Sequence, residues 1–344
     1  GGKSLELINP FLTNNNGQNW GSSLAQGGTP GEVNSIASVN IAPIIRGMKH
    51  RPRIPGSDDA VNVSCELRDE ASLSGASARL FWRVDGEDNF EALLMNFDGD
   101  DEFSADIPPQ EDGAVVEFYV EAGDGENLRS WPARVEGGGN RANALYQVDD
   151  DFDLLVARTP GNQSTYYLIM TDEEREELED IGTSSSRSES NARMNATFVS
   201  AESASMKTIY SASVRNRGAG SRDGPPNNHL VIFRTDENWK GVHAMKFNCR
   251  YVHSQTAGSW LFQLMGVEVP DTVAVQLRIN GEDLAQSGGP LMYGSYAMVE
   301  TLDSDFTSAH WPDDPNGNLY QVRDDEDTGE EGDLRYEGED ADAY

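Results

Sequence analysis

Three arginines and two glycines stand close together in the stretch 215–222, and this combination could bind an anion. Arg215, Arg217 and Arg222 flank a predicted turn at Gly218 and Gly220. Glycine lets the backbone adopt positive φ and approach a ligand closely. Guanidinium groups match the geometry of phosphate and carboxylate oxygens. An ordinary surface hairpin explains the same residues, so this turn by itself leaves both interpretations open.

The loop 98–102 offers a second kind of chemistry, because its carboxylates suit calcium. Asp98, Asp100 and Asp101 could each supply oxygen ligands to Ca²⁺. The loop lacks the twelve-residue spacing of an EF-hand, and a solvated turn is the alternative. The histidines of the chain show no zinc-type spacing. Neither a Gly-x-Ser-x-Gly nucleophile turn nor a Walker loop is present in the sequence.

The charge balance limits the partners of this 344-residue chain. It has 26 basic and 59 acidic residues, which gives a net charge of −33. Such a surface repels nucleic acid and anionic lipid, so neither is expected as a partner. It suits a cation-rich medium, calcium binding or simple solubility. The sequence contains no apolar run of about 18 residues, so no membrane span is predicted.

Alternating strands separated by Asp-Gly turns predict an all-β region over residues 56–135. Their spacing favours a β-sandwich of immunoglobulin or fibronectin type. Trp82 is predicted to lie in its core, and Cys65, like Cys249 further on, is predicted to be a buried free thiol. The flanking segments 36–55 and 136–165 are predicted to be linkers. The alternating runs are 61–67, 78–84 and 115–122.

The second half of the chain mixes strands with two predicted helices. A capping box at 171–174 predicts a helix over 173–181, with Leu178 and Ile181 as a narrow apolar face. A second helix is predicted over 254–265. Its apolar residues are predicted to pack in the core; they are Trp260, Leu261, Leu264 and Met265. The predicted strands are 166–170, 194–199, 208–214, 227–234, 241–248, 272–279 and 293–300.

Residues 1–35 carry turn residues between short apolar stretches, and they are too few to form a stable domain alone. Asn19-Trp20, the Gly-Thr-Pro-Gly run at 28–31 and Asn34-Ser35 are similar to the end of the lamin-tail-type β-domains attached to bacterial surface proteins. This resemblance predicts that 1–35 is the last part of such a domain.

The order of elements in the second half resembles the spore-coat CotH-type family of atypical protein kinases. With the lamin-tail-like and immunoglobulin-like parts, the resemblance covers nearly the whole chain. The elements are the Gly/Arg turn at 215–222, a strand with Lys246, a helix ending in the run 264–270, the hairpin 275–281, the strand 296–300 followed by Asp303, Asp305 and Phe306, and the run 317–320.

The CotH resemblance implies a kinase-like fold that binds ATP with Mg²⁺ and transfers phosphate to serine or threonine of a partner protein. The Gly/Arg turn would lie over the phosphates. Lys246 would take the place of the lysine that pairs the α- and β-phosphates, and the backbone after Glu300 that of the adenine-binding hinge. The implied fold is mainly β with an α+β C-terminal part. Residues 166–322 would form a small lobe with a five-stranded antiparallel sheet and one helix.

A kinase also needs carboxylates for the metal and for the substrate hydroxyl. The Asp-containing motifs that supply them in this family do not follow the small lobe here. Residues 323–344 are predicted to be an acidic tail that leads to an absent C-terminal lobe, so this chain alone is expected to be inactive. The alternative is a non-catalytic structural or adhesive protein, which would self-associate or bind a partner regardless of ATP. Both hypotheses place the protein outside the cell or on its surface.

Overall fold

The computed structural model describes residues 2–70, 73–133, 142–153, 163–183, 190–202, 205–218, 226–285 and 294–320. The described residues form mainly antiparallel β-sheet with a few short helices. This confirms the prediction of a mainly β protein.

A two-stranded hairpin near the start of the chain contacts the first strand of the sheet that follows it. The side-chain amide of Gln18 exchanges two hydrogen bonds with the backbone of Ile45, at 2.6 and 3.0 Å. Glu6 holds the later turns, because the Thr29 hydroxyl and the Ser35 backbone N–H donate to its carboxylate over 2.6 and 2.7 Å. The two strands are β1 (Lys3–Leu7) and β2 (Trp20–Gln26).

Two further sheets share one hydrophobic core. One has the order β3–β4–β8–β7 and the other β10–β9–β5–β6, with β11 also paired to β9. Because side chains alternate across a strand, each sheet turns one set inward. Trp82 and Cys65 lie in the shared core, as predicted, and Cys65 is unbridged. The strands are β3 (Ile44–Arg51), β4 (Val61–Arg68), β5 (Ser77–Val84), β6 (Glu91–Leu94), β7 (Asn96–Gly99), β8 (Glu102–Ile107), β9 (Val115–Gly123), β10 (Leu128–Trp131) and β11 (Ala144–Gln147).

Two segments that were predicted as linkers contribute strands to these sheets. β3 lies within 36–55 and pairs with β4, while β11 lies within 136–165 and pairs with β9. Every residue of β11 is buried. The turn residues around both strands gave these segments the composition of linkers, and only pairing with distant strands makes them part of a sheet.

The C-terminal half forms a closed barrel of seven described strands, in the order β12–β13–β14–β15–β16–β18–β17. Neighbours are antiparallel except β12 and β17, which run parallel and close the barrel. The CotH resemblance implied a five-stranded antiparallel sheet, and no local sequence pattern indicates that β12 and β17 pair. The strands are β12 (Thr165–Ile169), β13 (Met194–Ala201), β14 (Met206–Arg217), β15 (Asn228–Ile232), β16 (Ala244–Asn248), β17 (Thr272–Ile279) and β18 (Tyr296–Glu300).

The barrel and the two-sheet part contact each other through buried side chains. His50 of β3 forms a 2.6 Å hydrogen bond with the hydroxyl of Tyr210 from β14. Burial lowers the pKa of His50 to about 4, so its ring is neutral at pH 7. The Leu145 backbone N–H donates to the Thr197 hydroxyl over 3.0 Å.

Helix α1 (Asp172–Thr183) closes one end of the barrel. Leu178 and Ile181, the predicted narrow apolar face, are buried in the barrel core, although the rest of the helix is strongly charged. The three acidic residues in its first turn interact favourably with the positive, N-terminal end of the helix dipole.

Helix α2 (Val252–Leu264) lies on the outside of the barrel, and the prediction of an apolar core stripe there is wrong. Trp260 is 63% exposed and Leu264 is 64% exposed, with Leu261 and Met265 also exposed. The less exposed positions are 252, 255, 256, 258 and 259, and all of them except 258 follow helical spacing. This face is largely polar, so it left no sequence signal. A third helix is α3 (Ser304–His310).

None of the helices in the described ranges combines the length and apolar character needed to span a membrane.

Candidate functional site

Cationic side chains from β14 and β16, the strands on either side of β15, lie on the outer face of the barrel. Along β14 the side chains alternate, so Asn216 is buried while Arg215 and Arg217 are half-exposed. Leu230 of β15 lies opposite Arg215 on one side and opposite Lys246 of β16 on the other. Two strand spacings, about 10 Å in all, separate the backbones of β14 and β16. The fold therefore brings together residues that the sequence keeps far apart.

Lys246 occupies a positive neighbourhood. Burial lowers its pKa, and the guanidinium group of Arg217 lowers it further. Asp303 and Glu300 act in the opposite direction but do not cancel the effect. Within the described residues, the ammonium group of Lys246 makes no ion pair or hydrogen bond. A phosphate or carboxylate between the two cations would relieve this repulsion.

A chain of hydrogen bonds positions Arg217. Its guanidinium donates to the side-chain oxygen of Asn248. Asn248 in turn donates to Gln255 of α2 over 2.7 Å, and Gln255 donates to the backbone oxygen of Arg250 over 2.8 Å. The outer face of β14 and β16 is thereby linked to α2.

Only part of the predicted Gly/Arg turn falls within the described residues. Arg215 donates to Asn191 Oδ1 over 3.0 Å. Gly218 has φ of +111°, in the region that favours glycine. Gly220 and Arg222 lie outside the described residues, so their place relative to Lys246 stays a prediction.

Glu300 belongs to a group of carboxylates around one imidazole. Glu300 and Glu268 each contact a ring nitrogen of His310 at 2.9 Å, and the Asp271 backbone N–H donates to Glu300 over 3.1 Å. Burial disfavours the imidazolium, but the bonds to Glu268 and Glu300 raise the pKa of His310 above its ordinary value. The ligating atoms of Asp271, Glu300 and His310 lie within 4.8 Å of one another.

Sequence reasoning missed this group, because its members come from three separate elements and follow no spacing pattern. It can hold a proton, and its donor set also suits a divalent cation. A protonated His310 is sufficient to explain why these carboxylates lie close together, and no metal is needed. Glu268, the acidic residue closest to the end of α2, is engaged with His310.

The predicted calcium loop turns between β7 and β8. Asp98 accepts a hydrogen bond from Ser104, and Asp101 pairs with Arg68. Asp100 and Asp101 both have positive φ. In the described ranges, potential metal ligands from at least three residues converge at the His310 group but not in this loop. Calcium binding there stays a prediction.

No family model matches the chain, and no curated protein matches it. Among solved structures, the chain is similar to the cycloalternan-forming enzyme from Listeria monocytogenes, with 11% identity, 60% of this chain and 22% of that chain covered, and a TM-score of 0.21. It is similar to the TarS fragment from S. aureus, with 9% identity, coverage of 60% and 49%, and a TM-score of 0.22. A third is the GH family 64 laminaripentaose-producing beta-1,3-glucanase from Paenibacillus barengoltzii, with 10% identity, coverage of 60% and 59%, and a TM-score of 0.20.

The chain spans between about a fifth and three fifths of these structures. At such TM-scores the likenesses carry no argument about fold family or activity.

Proposed function

We propose that the chain is an extracellular or cell-surface bacterial protein of CotH type, in which accessory β-domains precede the small-lobe-like part of an atypical Ser/Thr protein kinase. In this proposal 1–35 ends a lamin-tail-like domain, 56–135 is immunoglobulin-like, and 166–322 binds ATP. The proposal rests on the sequence resemblance and on one observation, the proximity of Arg217 and Lys246.

The electrostatics support phosphate binding at this pair. A net charge of −33 repels a nucleotide in general, so binding needs a local reversal of sign. Arg217 and Lys246 provide one, and repulsion between them contributes to the lowered pKa of Lys246. A guanidinium suits bidentate contact with phosphate, and an ammonium acts as a point charge beside it.

Magnesium would come with the nucleotide in this proposal. The residues around Lys246 fit the phosphates better than they fit a resident metal. Asp303 caps α3 through a 2.9 Å hydrogen bond from the Asp305 backbone N–H, and Glu300 is engaged with His310. Bound Mg²⁺ would neutralise phosphate charge. Phosphoryl transfer to a partner protein requires carboxylates from a further lobe.

Isothermal titration of the chain with ATP–Mg²⁺ tests the proposal. We expect Arg217→Ala and Lys246→Ala each to weaken binding by about tenfold, or about 1.4 kcal/mol. Lys207→Ala is the matched control, because Lys207 lies at the other end of β14 and donates to Asn238 O over 2.6 Å. Unchanged affinity in both site variants, with measurable binding in the parent chain, would show that the site is elsewhere.

A second candidate function is structural or adhesive, and the exposed apolar residues around α2 favour it. Trp260, Phe262 and Leu264 are at least half exposed, and Val273 of β17 is 49% exposed nearby. Contiguous exposed apolar residues mark association surfaces in soluble proteins. In this alternative the occupant is a second copy of the chain. Sedimentation velocity should show reversible association that ATP does not change, whereas a strict monomer with and without Ca²⁺ would exclude it.

A further inference from the structure

A cavity of about 380 Å³ lies at the end of the barrel that α1 closes. Leu178 of α1, Ile279 of β17 and Leu284 supply apolar walls, while Asn216 of β14 and His229 of β15 supply polar atoms. Ligand pockets commonly form in the mouths of β-barrels, and their volumes start near 300 Å³. The position and size of this cavity therefore suit a small molecule.

His229 is the decisive side chain of the cavity. It is only 3% exposed, yet neither of its ring nitrogens has a hydrogen-bond partner among the residues described. Asn216 lies directly opposite on the neighbouring strand, and its Oδ1 lacks a partner in the same part of the chain. Its Nδ2 is anchored, because it donates to the Leu178 backbone oxygen over 2.8 Å. A buried polar group without a hydrogen-bond partner is energetically costly, so three such atoms around one cavity point to an occupant.

The protonation state of His229 determines which hydrogen-bonding groups a ligand in the cavity must have. Burial lowers the pKa of His229 to about 4, so the ring is neutral at pH 7. A neutral imidazole offers one N–H donor and one nitrogen acceptor. With Asn216 Oδ1 fixed as an acceptor, the complementary group both donates and accepts hydrogen bonds. A hydroxyl or a carboxamide does so without carrying charge.

The cationic residue of the cavity wall argues against an anionic ligand. Arg175 is engaged by Glu179 over 3.2 Å and by Glu282 over 2.6 Å. A buried carboxylate would thus meet two competing carboxylates and the acceptor oxygen of Asn216. Burial of an unpaired charge is far more costly than burial of a neutral polar group.

We propose that the barrel-end cavity binds a small uncharged molecule that has an apolar body and one hydroxyl or carboxamide group held by His229 and Asn216. The apolar body contacts Leu178, Ile279 and Leu284. This site is separate from the outer-face cations, because Asn216 is buried while Arg215 and Arg217, its neighbours on β14, are half-exposed.

Three probes of similar size test the proposal: benzyl alcohol, benzamide and toluene. Each is titrated into the full chain while the ring ¹⁵N shifts of His229 are followed by NMR, with the resonance assigned from its loss in His229→Leu. We expect saturable shifts with benzyl alcohol and benzamide and at least tenfold weaker binding of toluene. Shifts that do not saturate with any probe, as for a cavity that holds water only, would overturn the proposal. Equal affinity for toluene would also overturn it.

Two variants distinguish the contribution of the His229 side chain to binding from the contribution of the cavity volume. His229→Leu removes the polar group, so a ligand-observed titration should lose the preference for benzyl alcohol over toluene. Leu284→Phe fills the cavity and keeps His229, so binding of all three probes should fall by at least tenfold. Leu264→Phe on the exposed face of α2 is the matched control and should bind as the parent does. Unchanged binding in Leu284→Phe, or a preference that survives in His229→Leu, contradicts the assignment.

Discussion

Helices α1 and α2 have similar lengths, and each is buried in a way opposite to what its composition suggests. The acidic helix α1 places Leu178 and Ile181 in the barrel core. The more apolar helix α2 leaves Trp260 and Leu264 exposed and buries Val252 instead. Two apolar side chains over the open end of a barrel are thus enough to anchor a charged helix. An apolar helix on a barrel whose core is already complete stays on the outside.

The largest expected difference between the helices comes from leucine truncation. Leu178→Ala should lower the free energy of unfolding by about 2–5 kcal/mol, because it leaves a cavity in the barrel core. Leu264→Ala on α2 should change it by less than about 0.5 kcal/mol, since the side chain is 64% exposed. Urea unfolding of both variants measures the difference, and similar values would show that α2 is covered in solution.

Acid should weaken the end of the barrel beneath α1. An unfolded histidine titrates near pH 6.5, whereas burial lowers the pKa of His229 to about 4. Between these pH values the unfolded state binds more protons, so the free energy of unfolding falls as the pH drops, by up to about 3 kcal/mol.

His229→Leu removes this contribution to acid sensitivity and leaves that of His50, whose pKa is also about 4. Urea unfolding from pH 7 to pH 4 should therefore give a shallower pH dependence in the variant. Superimposable profiles for variant and parent would mean that His229 is not buried in neutral form.

Glycine replacement should have opposite signs in the two helices. A Cβ added at Gly182 of α1 would lie 2.6 Å from Asn227 Oδ1 and 3.0 Å from Asn216 Nδ2. Gly182→Ala should therefore destabilise the fold by about 1–3 kcal/mol. Gly258 of α2 has open space around it, so Gly258→Ala should stabilise by up to about 1 kcal/mol through helix propensity. Thermal unfolding of the pair checks both signs.

The smallest effect on stability should come from Phe262→Ser. This side chain is 50% exposed on α2, so the free energy of unfolding should shift by no more than about 0.5 kcal/mol. If the exposed face holds a second copy of the chain, the same variant should lose concentration-dependent sedimentation. Unchanged sedimentation together with unchanged stability would leave Phe262 without a role in association.

Local patterns in the sequence predicted most strands and both longer helices, because alternation and capping act over a few residues. The predicted strand 272–279 coincides with β17. The Asn280-Gly281 pair predicted a hairpin turn. The structure has a tight turn there, bridged by Ile279 and Glu282, but β18, the strand that pairs with β17, begins only at Tyr296. Closure of the barrel could not be predicted, since it depends on the pairing of distant strands.

The candidate sites show the same limit. Arg217 and Lys246 were predicted as site residues from their order along the chain. The pairing of β14 and β16 with β15 places Arg215 in line with Lys246, and Arg217 two residues further along β14. His229 carried no signal, because an isolated histidine in an alternating strand looks like any core residue. His229 is identified as a candidate site residue by its ring nitrogens, which lack hydrogen-bond partners, and only the three-dimensional structure can show this.

The parallel pairing of β12 with β17 also sets a condition on synthesis. Thr165 of β12 pairs with Gln276 of β17, so the two strands can pair only after Gln276 has left the ribosome. Until then, a nascent chain carrying β12 to β16 has two unpaired strand edges, which are templates for intermolecular pairing. We expect fragments that stop before β17 to aggregate. We also expect folding of this region to be slow, because the pairing of β12 with β17 joins the strands of the barrel that are most distant in sequence.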